Sequence, residues 1–467
     1  MPFDYDLVVV GVGPAGEKGA AQAAYFGKRV ACVERAEEPG GAAVHTGTLP
    51  SKTLRETALF LSGFRQRELY GLNVELKTDT AVPRLLARKD AVRTLEVARI
   101  HWNLERHGIP LLRGVARFVD PHTIEITGSG GAPRRITSEV FLVATGSKPH
   151  HPPDIPFDDD DVDDSDTILQ IDRFPKSMLI VGGGVIGVEY ASMFAAMHVK
   201  VTLVEGRPRL LPFLDAEIGE RLRGAMQSLG VDFHLGQTTQ SIRRVEGRGI
   251  VTTLASGLEI AADKVLASSG RSGWTAGMDL DAIGVALDKR GYVTVDGDYR
   301  TTVPSIYAAG DVIGFPALAS TSMEQARVAV CHAFGFTYKR QVSHLQPFGI
   351  FTIPELSCIG FSEEDATQKG LDFVVGRAFY RDNARGKIVG DRDGIIKLLV
   401  DRGSRKLLGC HCIGERATEL VHVGQAVMLL DGTVDVFIDM VFNYPTLGEM
   451  FKYAAYDALG ALAHASA

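Results

Sequence analysis

Two glycine-rich stretches, each followed at a fixed distance by an acid, carry the most chemistry in this chain. The first is Gly11-Val12-Gly13-Pro14-Ala15-Gly16 with Glu34; the second is Gly182-Gly183-Gly184-Val185-Ile186-Gly187 with Glu205. In both copies the acid comes 23 positions after the first glycine. Such glycines permit a tight turn, let a pyrophosphate approach the backbone, and allow close helix–strand packing. The helix that follows offers amide donors and positive dipole, and the acid accepts ribose hydroxyls. One GxGxxG alone is weak evidence, because glycine turns are common. Two, each with its acid at the same spacing, predict two bound dinucleotides. Glu205 suits the free 2′-hydroxyl of NAD and repels the 2′-phosphate of NADP. Arg207 and Arg209 could offset that repulsion by gripping the phosphate, or be solvated loop charges. Cys410, His411 and Cys412 alternate beside Leu407 and Leu408 and read as a core strand rather than a metal site. Cys32, Cys331 and Cys358 read as small buried apolar residues, and His422 as a core histidine. No metal is expected.

The elements that must position these residues are legible around them. Apolar strands, Leu7 to Val10 and Met178 to Val181, precede the glycines. Apolar runs, Val30 to Val33 and Val201 to Val204, end at the acids. Each copy is therefore a βαβ unit. Residues 50–107 read as helical, followed by strands closing at Phe141-Leu142-Val143-Ala144-Thr145-Gly146. Prolines between His150 and Pro156 mark a crossover, and the second βαβ unit starts at Ser177. Its strands run through Lys264-Val265-Leu266 to Gly270-Arg271, and Ser305 to Asp311 returns to the first domain. Beyond Ser343, strands near Gly394–Val400 and Leu407–Ile413 precede helices near Thr418–Leu430 and Leu447–Leu462. The expected fold is α/β: two Rossmann-like domains and an α+β C-terminal domain suited to a dimer interface.

Bulk properties narrow the function class. A chain of 467 residues should form about three domains, since single cores rarely grow past ~250–300 residues. With 45% hydrophobic and 23% charged residues it reads as an ordinary soluble protein. A net charge of −7 without a basic block gives nucleic acid nothing to follow. Residues 158–164 hold six Asp around Val162 and read as a solvated interdomain loop. The first strand starts too early for a signal peptide, and no apolar run reaches ~18 residues. Five cysteines without CxxC suggest a reducing compartment, the cytoplasm.

Four further segments make the chain resemble the pyridine nucleotide–disulfide oxidoreductases. They are Pro50-Ser51-Lys52, Ala144-Thr145-Gly146, Gly270-Arg271 and Tyr307-Ala308-Ala309-Gly310-Asp311, in the family's order between Tyr5 and about Leu459. The resemblance implies an FAD domain over residues 1–150 and an NAD(P) domain over 151–274. A return to the FAD domain over 275–343 and a dimerisation domain over 344–467 would follow. Gly11, Gly13, Gly16 and Glu34 would hold the adenosine end of FAD, and Asp311 its ribityl and phosphate region. Gly182, Gly184, Gly187 and Glu205 would hold the nicotinamide dinucleotide.

The redox centre departs from that family. Its CxxxxCxPSK pattern here reads Ala43-Val44-His45-Thr46-Gly47-Thr48-Leu49-Pro50-Ser51-Lys52, and neither Ala43 nor Thr48 can form a thiolate. The family's C-terminal His–Glu pair is Tyr444 and Glu449, and a tyrosine of pKa near ~10 is a poor proton shuttle. Disulfide reduction is excluded. Gly47 to Lys52 and Asn443-Tyr444-Pro445-Thr446 are similar to a branch without the disulfide, the soluble pyridine nucleotide transhydrogenases. Ser51 to Glu56 and Gln66 to Gly71 strengthen that likeness. It implies ping-pong hydride transfer between NAD(H) and NADP(H) through flavin N5. Lys52 and Glu189 would pair beside N5, and Thr48 would touch the flavin without reacting. Taken alone, Lys52 would be a surface lysine and Glu189 an exposed helix carboxylate. A homodimer, possibly a higher oligomer, is implied.

The same residues leave two other activities open. An NADH-dependent diaphorase, quinone reductase or oxidase would use the same FAD, and Glu205 favours it slightly. A catalytically idle nucleotide sensor is disfavoured by the retention of Lys52, Glu189 and Asp311.

Overall fold

The structure, a computed structural model, describes residues 2–63, 69–71, 78–128 and 132–464. Gln66, Arg67 and Glu68 of the segment quoted above lie outside the described residues. The chain divides into two compact units.

One unit takes in the chain up to Leu54, then Arg84–His151 and Ser269–Ser343. Its parallel sheet orders the strands Leu111–Arg113, Val30–Glu34, Tyr5–Val10 and Arg134–Val143, with Ile306–Ala308 beside the last. Leu7 to Val10 and Val30 to Val33 are buried throughout, as continuous apolar runs in a sheet covered on both faces should be. The order reverses at Tyr5–Val10, which has Val30–Glu34 on one side and Arg134–Val143 on the other. A crevice opens at the carboxyl ends of strands at such a reversal, and ligands of open α/β sheets bind there. Gly11 and Ala144 leave the sheet at that point, with the Ala144 amide donating to the Val10 carbonyl at 2.8 Å.

The helix Pro14–Tyr25 crosses between these strands, with proline in its first turn, where the missing N–H costs nothing. Its inward face is small: Ala15, Gly16, Gly19, Ala20 and Ala23. A methyl group at Gly19 would come 2.7 Å from Leu142 and 3.3 Å from Ala326 on the helix Ala319–Ala333. Small residues thus set how closely the helices and sheet approach.

The other unit comprises Arg55–Pro83, Pro152–Ser268 and the chain from His344 onward. It contains a second parallel sheet, ordered Asp232–Leu235, Lys200–Glu205, Ser177–Val181, Lys264–Ala267 and Val162–Asp163. Here the order reverses at Ser177–Val181, which ends at Gly182. An antiparallel sheet follows, with strands Phe348–Ile350, Leu356–Gly360, Leu407–Ile413, Ile395–Asp401 and Phe373–Phe379 in that order. Helices Ala417–Leu429 and Met450–His464 cover it around Leu398, Phe437 and Phe451. A methyl group at Gly376 would stand 2.0 Å from the Ala454 carbonyl, so only glycine lets this helix lie so close to the strand.

Three expectations need correction. The acidic run is not a solvated loop. Asp163 and Asp164 are buried, Val162–Asp163 forms the edge strand, and Lys264 bonds Asp163 at 3.0 Å. Asp159 and Asp161 both bind Arg244. Local composition cannot reveal cations supplied from about a hundred residues away. His422 is exposed rather than in the core, and bonds Gln425 one turn on at 2.8 Å. Cys358 is only half-buried, whereas Cys32, Cys331, Cys410 and Cys412 are buried.

Candidate dinucleotide sites

At the first loop, Gly11 has φ +94°, where a side chain would be strained and would strike the Ala144 carbonyl at 2.5 Å. A methyl group at Gly16 would lie 1.9 Å from the Gly11 carbonyl, so the helix can start this close only with glycine. A methyl group at Gly13 would meet nothing nearer than 3.7 Å, which leaves the face of the loop open. Glu34 turns back onto the loop. One of its oxygens accepts the Val12 amide at 2.8 Å and the other the Ala36 amide at 3.0 Å.

Three sequence motifs meet beside that loop. Thr145 Oγ1 is buried without a hydrogen-bond partner among the described residues. A buried hydroxyl left so is costly unless a ligand satisfies it. Ser147 donates to Asp311 at 3.0 Å and accepts from Arg271 Nε at 2.7 Å, and its carbonyl accepts from Arg271 Nη2 at 2.8 Å. Gly270, with φ +92°, turns the chain into this pairing of Arg271–Gly273 with Ser147–Pro149. Gly146 accepts the Trp274 amide, and Arg35, next to Glu34, lies over the Trp274 ring at 3.0 Å. Ser147, Arg35 and Trp274 escaped the sequence reading. Only the position of Ser147 directly after Gly146 signalled it. The open glycine face, the orphaned hydroxyl and the turned-in acid fit the adenosine and pyrophosphate of FAD.

The second loop repeats the first almost atom for atom. Gly182 has φ +103° and faces the Ser268 carbonyl, while a methyl group at Gly187 would again lie 1.9 Å from the carbonyl of the first glycine. Gly184 faces open space. Glu205 accepts the Gly183 amide at 2.7 Å and the Arg207 amide at 2.8 Å. In addition, the Arg207 guanidinium grips both its oxygens, through Nε and Nη2, at 2.9 Å each. Burial raises the Glu205 carboxyl, but Arg207 and the two amides outweigh it and hold the acid below its ordinary range. Arg209 turns away, with Nη2 3.4 Å from the Leu214 carbonyl.

The remaining candidates are placed as follows. Thr48 is exposed and opens the helix Thr48–Ser62, with Pro50 in its first turn and Lys52 half-buried. Ala43 lies in the short helix Gly41–His45. The five cysteines are all elsewhere. Glu189 sits buried on the helix Val185–Ala196 in the other compact unit, where its Oε1 accepts the Phe351 amide at 2.8 Å. Ser192, one turn on, accepts the Ile353 amide at 3.1 Å, so residues 351–353 fix that helix face. Tyr444 is 74% exposed, and Glu449 accepts from Tyr453 at 3.2 Å.

Comparison with known proteins matches this geometry. A family described as pyridine nucleotide-disulphide oxidoreductase matches residues 5–333, and its dimerisation domain matches residues 346–455. A soluble pyridine nucleotide transhydrogenase of Mycobacterium bovis is 47% identical, the match covering 98% of this chain and 97% of that one. One from an Enterobacter species is 39% identical, over 98% and 99% of the two chains. Among solved structures, LpdA from Mycobacterium tuberculosis superposes with a TM-score of 0.89 at 26% identity, covering 96% of this chain and 99% of that one. The HOCl-induced flavoprotein disulfide reductase RclA from Escherichia coli, solved as a Cu(II) complex, gives 0.88 at 27% identity, over 98% and 99%.

Proposed function

The chain belongs to the pyridine nucleotide-disulphide oxidoreductase family, and on that premise we propose that it exchanges hydride between NAD(H) and NADP(H). The observation that carries this reading is the pairing of two intact dinucleotide loops with a redox position that holds no thiol, Ala43 and Thr48. FAD, when bound, supplies a two-electron centre that takes up hydride and gives it back. Gly11, Gly13, Gly16, Glu34, Thr145 and Asp311 hold it. Ala144, Gly146, Gly270 and Arg271 shape the wall beside it. Gly182, Gly184, Gly187 and Glu205 hold the nicotinamide dinucleotide. Lys52 supplies positive charge at the reacting end, Glu189 orients the carboxamide, and Thr48 fills the space of the missing sulfur. With no thiol to receive electrons, a second nicotinamide dinucleotide is the acceptor.

We assign residues 1–150 and 275–343 to the flavin, 151–274 to the nicotinamide dinucleotide and 344–467 to assembly as a homodimer in the cytoplasm. A domain of the dimerisation type is present, and no helix among the described residues is long and apolar enough to cross a membrane. The test is anaerobic. NADPH and thio-NAD⁺ mixed with the purified enzyme should yield thio-NADH without added quinone or thiol. No thio-NADH, with flavin bleached rapidly by NADH alone, would instead establish an NADH diaphorase, the reading that Glu205 favours.

A further inference from the structure

The two acids that mirror each other, Glu34 and Glu205, differ in one respect. An ionised carboxylate offers about four lone-pair positions. Glu34 uses two of them, on the amides of Val12 and Ala36, and keeps the rest for the two hydroxyls of an adenosine ribose. Glu205 has four donors already: the amides of Gly183 and Arg207, and Nε and Nη2 of Arg207. The residue two places after the acid makes the difference, Ala36 in the first loop and Arg207 in the second.

We propose that Arg207 is the specificity-determining residue of the second site, a guanidinium shared between Glu205 and the 2′-phosphate of NADP(H). This deepens the hydride-exchange reading and rests on it for the identity of the ligand. With NAD(H), the ribose hydroxyls need the lone pairs that Arg207 occupies, so the guanidinium leaves and the carboxylate accepts them. With NADP(H), the 2′-phosphate has no such donor to give and would be repelled by a bare Glu205. Arg207 held against Glu205 cancels that charge. It spends two of its five N–H donors there, which leaves three for the phosphate. Half of its side chain is already exposed, so a ligand can reach it. One acid and one arginine thus let a single loop serve both nucleotides, where an acid alone would select NAD(H) and an arginine alone NADP(H).

The test compares nucleotide affinities in the FAD-loaded enzyme, by calorimetry with NAD⁺, NADP⁺, 5′-AMP and 2′-AMP. In Arg207→Ala, NADP⁺ and 2′-AMP should bind about 10- to 100-fold more weakly, the worth of a charge-assisted hydrogen bond or two. NAD⁺ and 5′-AMP should bind no more weakly than before, since Glu205 is released. Arg207→Lys should recover part of the NADP⁺ affinity, and Glu205→Gln should weaken NAD⁺ while sparing NADP⁺. Equal losses for both nucleotides in Arg207→Ala, or undiminished NADP⁺ binding, would overturn the proposal. Wild-type hydride exchange separates the two ideas. If exchange fails yet Arg207→Ala still loses NADP⁺ selectively, the site assignment stands and only the reaction is wrong.

Discussion

Lys52 and Glu189 are the side chains on which hydride exchange would turn, and their expected signatures differ. Lys52→Met should slow flavin reduction by NADH about 10²- to 10³-fold, the usual cost of losing one preorganised charge at a reacting centre. Anaerobic stopped-flow absorbance with the flavin content held equal measures it, and an unchanged rate would remove Lys52 from the chemistry. Glu189→Gln should mainly raise the KM for nicotinamide, since an amide can still accept a hydrogen bond. At this scale the glycines and acids were readable because their work is local: a positive φ, a close approach, an amide to accept. Ser147, Arg35 and Trp274 were not, because their partners come from distant segments of the first compact unit. Arg207 lay between. Its nearness to Glu205 was visible, but not that it would bind the acid with two nitrogens.

Among the elements, the loop from Glu205 to Leu214 and the helix Ala216–Ser228 show how charge can fix a segment in place. Asp215 caps the helix through the amides of Glu217 and Ile218. Both its oxygens also accept from Lys397, at 2.7 and 2.8 Å, on the antiparallel strand Ile395–Asp401. The Lys397 side chain is 1% exposed and that of Asp215 0%, with Glu217 and Glu363 also within reach of the ammonium. Burial lowers the Lys397 ammonium, but Asp215 and Glu363 outweigh it and raise it above its ordinary value. Burial raises Asp215, but His411 and Lys397 beside it, with the Glu363 amide, hold it below the usual carboxylate range. Lys397→Met should therefore destabilise by about 3–5 kcal/mol in urea unfolding, since it leaves a buried carboxylate unpaired. Lys397→Met with Asp215→Asn should cost less, because asparagine still caps. The contribution of Asp215 is present above an unfolded value of ~3.9 and lost as pH falls through its depressed folded value. That of Lys397 is present below ~10.4 and lost as pH rises through its raised folded value. The cost of Lys397→Met should thus be greatest at neutral pH and shrink as pH falls, because the buried Asp215 of the variant, without its cation, takes up a proton more readily; a cost that grows as pH falls would contradict the assignment. The strand itself was legible as an apolar run. The lysine in its middle was not, because two of its counter-charges, Asp215 and Glu217, lie some 180 residues away, and the third, Glu363, comes from another element of the chain.

For the whole molecule, the two sheets and their reversal points followed from duplicated strand–loop–helix–strand patterns, which need no distant information. The division into compact units did not. The described residues between Arg55 and Pro83 group with the second unit although they follow the first along the chain. The C-terminal portion exposes large apolar side chains: Leu430, Val441, Tyr444, Tyr453 and Tyr456 are each at least half exposed. Scattered exposed apolar residues are ordinary, but within a domain of the dimerisation type they suit a subunit interface. Val441→Glu together with Tyr456→Glu should shift the protein from dimer to monomer in sedimentation velocity at micromolar concentration. A dimer that persists unchanged would place the interface elsewhere.

The open acid of the first loop and the occupied acid of the second have a consequence in time. A carrier that alternates between two nucleotides must keep its flavin and discard each nicotinamide product at every turnover. Where a protein group must leave before a ligand can bind, the ligand's affinity falls by the fraction of time the site is open. On the proposal above, Arg207 competes with NAD(H) for Glu205, whereas Glu34 accepts only two amides among the described residues. On that proposal, the same loop, written twice, would hold one ligand with its acid open and the other with its acid contested.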